Sequence, residues 1–197
     1  DKLTLVLTGS AVAADLKALD AKTSVVVDAK GVTTITGLAA DVKTVLAATG
    51  IDTTTTVKAD VSGTISAADA NTISKATTGE VKATVTADTA AALKSALAGV
   101  SNDEVDALTL TVNGTTAAAA DLIALDAKTS VDVVVNATTV TGNITDLTSV
   151  YVSANGFTTG DEAVTISGTV SATQADVIAD ATTGVVTATI TAGTAAA

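Results

Sequence analysis

The chain of 197 residues contains no cysteine, no histidine and no arginine. Without cysteine there are no disulfides, no thiolate metal sites and no thiol nucleophiles. The further loss of histidine and arginine excludes a nucleophile served by a conventional base, a zinc site and a guanidinium clamp. Aromatic residues are limited to Tyr151 and Phe157. Burial must therefore rest on Ala, Val, Leu and Ile, each of which removes less surface from water than a large ring does. Apolar runs fall far short of the roughly 18 residues a spanning helix needs, and no basic, apolar, small-residue leader precedes Asp1. The expectation is a soluble piece without membrane insertion, already trimmed of any leader.

What is present narrows the class further. Twenty-one acidic residues against ten lysines give a net charge of −11. A polyanion of this kind is repelled by nucleic acid and by anionic headgroups, so neither is expected as a partner. The hydrophobic share of 47% suffices for a continuous core in one or two domains. Ala and Thr together make up roughly two fifths of the chain, a bias that favours a small cross-section used repeatedly.

The repetition is explicit. "LDAKTSV" stands at Leu19–Val25 and again at Leu125–Val131. "LTLVLTG" at Leu3–Gly9 returns as "LTLTVNG" at Leu108–Gly114, and "SGTISA" at Ser62–Ala67 returns as "SGTVSA" at Ser167–Ala172, both 105 positions later. The chain is two copies of one unit, residues 1–105 and a truncated 106–197, expected to form one continuous stack. Each copy divides again. Gly9, Gly37, Gly63, Ala87, Gly114, Gly142, Gly168 and Ala192 recur at intervals of 24 to 28 residues. Periods in the twenties are the mark of a solenoid whose coils cannot bury their apolar faces alone.

Two positions before each landmark lies an apolar residue, among them Ile35, Val61, Val85 and Val112, flanked almost always by Thr, Ser, Asn or Asp. This period-two alternation predicts one half-buried strand per coil. After each landmark the spacing turns helical, as in Val12, Leu16 and Leu19, or Leu38, Val42 and Val45. Ser66 with Asp69 and Ser171 with Gln174 have capping-box spacing. The predicted fold is α/β, a repeat solenoid of about eight strand–turn–short-helix coils, with a parallel sheet on one face and Ala-rich helices on the other. Ile35, Val61 and Val85 are expected side by side on successive rungs. Ala197 aligns with Ala92, inside a helix of the first copy, so an excerpt from a longer array or head-to-tail stacking is expected.

Arrays of this texture, such as "VTISGTVSATQADVIADATTGVVTATIT", resemble the repeat regions of giant secreted bacterial surface proteins, surface-layer and adhesin-like, marine cyanobacterial ones among them. The resemblance covers the whole chain and implies an extracellular structural role. It carries no functional residues over to this sequence.

Three candidate chemistries follow from the residues. Thr34/Thr36, Thr84/Thr86, Thr139/Thr141 and Thr189/Thr191 are outward Thr-x-Thr pairs; stacked in register they would form a flat hydroxyl lattice able to bind ice, glycan or mineral. Turn acids at Asn102, Asp103, Glu104 and Asp106, and at Asp161 and Glu162, offer hard oxygen ligands for calcium, an ion that such surface proteins often use, although neither run matches an EF-hand loop. Catalysis would have to use carboxylates or lysine, but Asp15, Asp41, Asp69, Asp121 and their like recur coil after coil, as a solvated face does. Tyr151 and Phe157, both in the sixth coil, would fill a gap in the core or form a small recognition patch. The expected function is a non-enzymatic structural segment of a surface layer, filament or adhesin. Its expected partners are copies of itself end to end or further repeats of a longer chain. The alternatives are a binding face and a polysaccharide-acting enzyme.

Overall fold

The computed structural model describes residues 2–102, 105–153 and 156–192. The fold is mixed α/β: among the described residues every strand pairing is parallel, no sheet closes into a barrel, and there are seven helices. No helix among them is long and apolar enough to cross a membrane. The chain forms two compact units, Asp1–Thr86 with Ala96–Thr109 and Lys128–Ser130, and Ala87–Ser95 with Leu110–Ala127 and Val131–Ala197. The start of the second sequence repeat is thus shared between them.

Unit 1 is one sheet with helices. Its strands β1 (Val6–Val12), β2 (Val27–Leu38), β4 (Lys58–Ile65), β5 (Val81–Val85) and β6 (Ala107–Thr109) lie in that order, and the short β3 (Ile51–Asp52) pairs with the start of β2. Between strands run α1 (Ala13–Asp20), α2 (Ala39–Ala47) and α3 (Ala67–Ala76), with α2 neighbouring both others. Alternation decides which side chains enter: Ile35, Val61 and Val85 are buried while Lys58, Asp60 and Thr84 face out. Each helix adds a short stripe, Ala13 and Leu16, Val42 and Val45, Ala70 and Ile73. Ser66 caps α3 by accepting from the Asp69 amide at 3.0 Å, which satisfies one of the helix's orphan donors.

Unit 2 has two sheets. β7 (Thr111–Val112), β9 (Val133–Val135) and β11 (Phe157–Thr158) form one, and β8 (Thr116–Ala118), β10 (Thr139–Gly142), β12 (Ala163–Val170) and β13 (Val186–Ile190) the other. Helices α5 (Ala119–Asp126), α6 (Ile144–Tyr151) and α7 (Ala172–Asp180) follow β8, β10 and β12, while α4 (Ala90–Ala96) belongs to this unit except for its last residue. The single strand expected per coil is therefore a correction here. "VDVVV", at Val131–Val135, is a β-branched run of its own, and it supplies a second strand before the landmark strand begins.

The register also departs from expectation. Ile35 lies opposite Ala59 and Ala59 opposite Val81, whereas Val61 lies opposite Gly37 and Val85 opposite Ile65. Ile35, Val61 and Val85 are all inward, on successive strands, but they do not share a column. Two features cause the drift. Landmark intervals shorten from 28 to 24 residues within a copy, so equal offsets from glycine do not mean equal heights. The glycine itself does not end the strand. β1, β4 and β12 run on past Gly9, Gly63 and Gly168, which hold φ of 81°, 76° and 83°. A left-handed residue inside a strand is the signature of a bulge that adds length on one side of the ladder. The skip between Asp60 and Thr64 in unit 1 reappears between Thr165 and Thr169 in unit 2, 105 positions later. Because the strand continues, Val12 and Leu38 become exposed N-cap residues and not the first residues of the helix stripe.

Candidate functional site

The threonine face is built by the outward half of each strand. Thr34 lies opposite Lys58, and Thr36 opposite Asp60, which itself faces Lys82. The expected stack of Thr-x-Thr pairs does not form there, because in the uniform register of β2 and β4 the facing residues are Lys58 and Asp60. Lys58 instead pairs with Glu80 at 2.9 Å. Threonine columns do arise elsewhere. Thr84 stands between Thr64 and Thr109 in unit 1; in unit 2 Thr141, Thr165 and Thr187 occupy three successive strands, Thr139 faces Thr116, and Thr189 faces Thr169. Thr86 leaves the outward row to bond back, its hydroxyl donating to the Ile65 carbonyl at 3.0 Å. Thr191 is exposed beyond the end of β13. The sequence pattern does not single out Thr64, Thr109, Thr165 and Thr187; the Thr64–Thr84 and Thr169–Thr189 pairings lie beyond a ladder skip, and the others depend on the register of neighbouring strands. Gly63 just before Thr64 and Gly168 just before Thr169 are the available clue, and it becomes readable only once their φ is known.

Of the turn acids, Asp106 and Glu162 are occupied with backbone amides. Asp106 is 6% exposed, and its Oδ1 accepts from the Val81 amide at 2.8 Å. Asn102 Oδ1 accepts from Lys128 Nζ at 2.9 Å. Asp103 and Glu104 lie outside the described residues. In unit 2 both Glu162 carboxylate oxygens accept from the Gly160 amide, at 2.9 and 3.0 Å, while Asp161 is exposed at the rim of a hollow of about 450 Å³ with Asn136 and Thr138. Among the described residues no three or more Asp or Glu converge as a metal site would require.

The duplicated heptapeptide has a geometric role. Thr129 Oγ1 accepts from the Leu108 amide at 3.0 Å and donates to the Leu108 carbonyl at 2.8 Å, and Ser130 donates through N and Oγ to the Asp106 carbonyl. Thr23 repeats the grip in the first copy, donating to the Leu3 carbonyl at 2.7 Å. Lys128, 7% exposed, donates to the Val100 carbonyl at 2.8 Å as well as to Asn102, and its burial lowers its pKa. The segment is a clip that holds the backbone at Asp106 and Leu108, and in the first copy at Leu3.

A second fastening lies on the helices. Lys17 of α1 bonds Asp41 of α2, Lys43 of α2 bonds Asp69 of α3, and Lys94 of α4 bonds Asp121 of α5 at 2.6 Å. Lys43 and, secondly, the Ser66 hydroxyl hold the Asp69 carboxyl below its ordinary pKa. Expected as solvated charge, these Asp residues are in fact paired to the lysine of the preceding helix. Of the aromatics, both are half-buried; burial, then the Glu162 charge, pushes the Tyr151 hydroxyl pKa upward. That hydroxyl is enclosed and makes no hydrogen bond.

No family model matches the chain, and no curated protein or solved structure matches it either.

Proposed function

We infer that this chain is a stretch of repeat solenoid acting as a scaffold or spacer in an extracellular surface layer, filament or adhesin. The observation that carries the reading is the recurrence of whole structural devices at repeat-equivalent places: the same bulge at Gly63 and Gly168 and the same carbonyl grip by Thr23 and Thr129. Devices repeated along a chain serve stacking, whereas a catalytic site needs one place unlike the others. The extracellular setting follows from the resemblance to giant secreted surface proteins. Stability in such a stack is a sum over coils and their neighbours. Concatenating two and then three copies of the 105-residue unit should lengthen the particle by about 19 Å per added four-rung copy, measured by small-angle scattering or electron microscopy, and raise the denaturation midpoint. A longest dimension that stays constant as copies are added would sink the reading.

A second reading, a binding face for ice, glycan or mineral, draws on the column Thr64, Thr84 and Thr109. Thr84→Lys puts a charge at its centre and should abolish thermal hysteresis or glycan retention while the circular dichroism spectrum stays unchanged. Binding by the wild-type chain that survives this change would remove the threonine column as its cause.

A further inference from the structure

Asn113 and Gly114 stand where the first copy has Thr8 and Gly9. The exchange puts a carboxamide immediately before a glycine, a pair in which the next backbone nitrogen can reach the side-chain carbonyl carbon and no β-carbon stands in its way. Three features of unit 2 leave that reaction open. Asn113 and Gly114 are both exposed. Gly114 lies between β7 and β8, in neither strand, and holds φ of 115°, a backbone state that favours glycine. Its N–H donates to no acceptor among the described residues, although its carbonyl accepts from the Thr138 amide at 2.9 Å. The ladder engages the oxygen and leaves the nitrogen able to react.

We propose that Asn113 is a site of spontaneous succinimide formation in the folded chain, which converts it to aspartate and isoaspartate and loosens the rung that Val112 and Gly114 help to build. Water or hydroxide removes the proton from Gly114 N, and that nitrogen attacks Asn113 Cγ. The N–Cγ bond forms, the Cγ–Nδ2 bond breaks, and Nδ2 takes up a proton and leaves as ammonia. One water then opens the ring at either of its carbonyls. Opening at Cγ gives aspartate; opening at the main-chain carbonyl gives isoaspartate, with the chain rerouted through Cγ. The net change is one water consumed and one ammonia released, with no oxidant or cofactor.

The place of the product gives it an effect. Asn113 N donates to the Asp88 carbonyl at 2.9 Å, beside the bridge between Asp88 and Val112, so either product adds a negative charge next to that contact. Isoaspartate also inserts one carbon into the main chain between two ladder bonds, from the Asn136 amide to the Val112 carbonyl at 2.8 Å and from the Thr138 amide to the Gly114 carbonyl. β7 and β8, on either side, belong to different sheets of unit 2. The spacing between those two bonds must change, and register on this rung is disturbed.

The test holds the full chain in mildly alkaline buffer, samples it over days and maps it by peptide mass spectrometry, each conversion adding about 1 Da. Asn113 should convert about tenfold or more faster than Asn136 and Asn143, which are also exposed but precede Ala137 and Ile144, whose β-carbons shield the attacking nitrogen. The rate should rise with alkalinity, because Gly114 N must lose its proton. Asn155, the other asparagine that precedes a glycine, lies outside the described residues and is read separately in the map. Asn113→Thr is the clean variant, since threonine fills this place in the first copy; Gly114→Ala is not, since its methyl would come 3.2 Å from Thr89 Cγ2. The denaturation midpoint should fall in step with conversion at Asn113, and Asn113→Thr should remove that part of the fall. Conversion at Asn113 no faster than at Asn136 and Asn143, or seen only once the chain is unfolded in urea, overturns the proposal. So does a midpoint that falls equally in the wild type and in Asn113→Thr, because the rung would then not depend on this residue.

Discussion

In unit 1 Lys43 of α2 reaches Asp69 of α3; at the equivalent places in unit 2 stand Thr148 and Gln174, and neither is charged. Gln174 serves instead in a capping box with Ser171, its side chain accepting from the Ser171 amide at 2.9 Å. The sheets behave otherwise. Gly63 and Gly168 share their positive φ and their ladder skip, and Ile73 and Ile178, on equivalent helices, are both fully buried. The helix surface tolerates exchange of one fastening for another, because an exposed ion pair contributes little. The bulge is kept, and the inward positions on either side of it exchange one β-branched apolar residue for another, as Val61 for Ile166 and Ile65 for Val170, because burying a polar group there without a partner is costly.

That contrast can be broken experimentally. Ile73→Ala and Ile178→Ala each leave a cavity in a dry interior and should cost about 2–5 kcal/mol, with similar losses in the two units by chemical denaturation. A difference beyond that spread would mean that the cores are not equivalent. Gly63→Ala and Gly168→Ala should each cost about 1–2 kcal/mol, since no atom lies near enough to clash and the penalty comes from the left-handed backbone alone. If either were neutral, the bulge would not be what fixes the register.

The smallest effect separates the helix faces. Lys43→Ala should cost less than about 1 kcal/mol, and less still at high salt. Its clearer signature is in the titration of Asp69. The folded carboxyl has a pKa lowered from 3.8, chiefly by Lys43, so its contribution to stability is present above pH 3.8 and is lost as the pH falls through the lower folded value. In Lys43→Ala the carboxyl resonance should titrate closer to 3.8, with Ser66 still bonded to it. An unchanged titration would show that the lysine is not the cause.

Local patterns carried most of the fold. Alternation identifies the buried Ile35, Val112 and Val140, helical spacing finds Leu16, Val45 and Leu122, and Ser171 with Gln174 announces a cap that is present in full. Such signals depend on neighbours in sequence. Register does not: whether Thr84 faces Ser62 or Thr64 depends on the ladder skip around Gly63, whose φ the letters do not carry directly. The second strand of unit 2 is hidden because "VDVVV" adjoins a clip and reads as part of the turn. The site candidates suffer from the same non-locality. Asp106 has the composition of a calcium ligand, yet its carboxylate accepts from the amide of Val81, 25 residues earlier. Asp41 and Asp69 read as solvent-facing because their lysines sit one helix away.

The glycine bulge has a consequence for how such a chain finds its fold. Near-identical segments invite mispairing, since a strand of one sequence repeat offers a plausible partner to its counterpart in the other. A slip of one residue at β4 would move Ser62 or Thr64 into the place where Gly63 holds φ of 76°, a backbone state that costs an L-residue about 1–2 kcal/mol, and would turn Val61 outward. The bulge at Gly63 and again at Gly168 therefore acts as a checkpoint that penalises wrong alignment once in each copy of the sequence repeat.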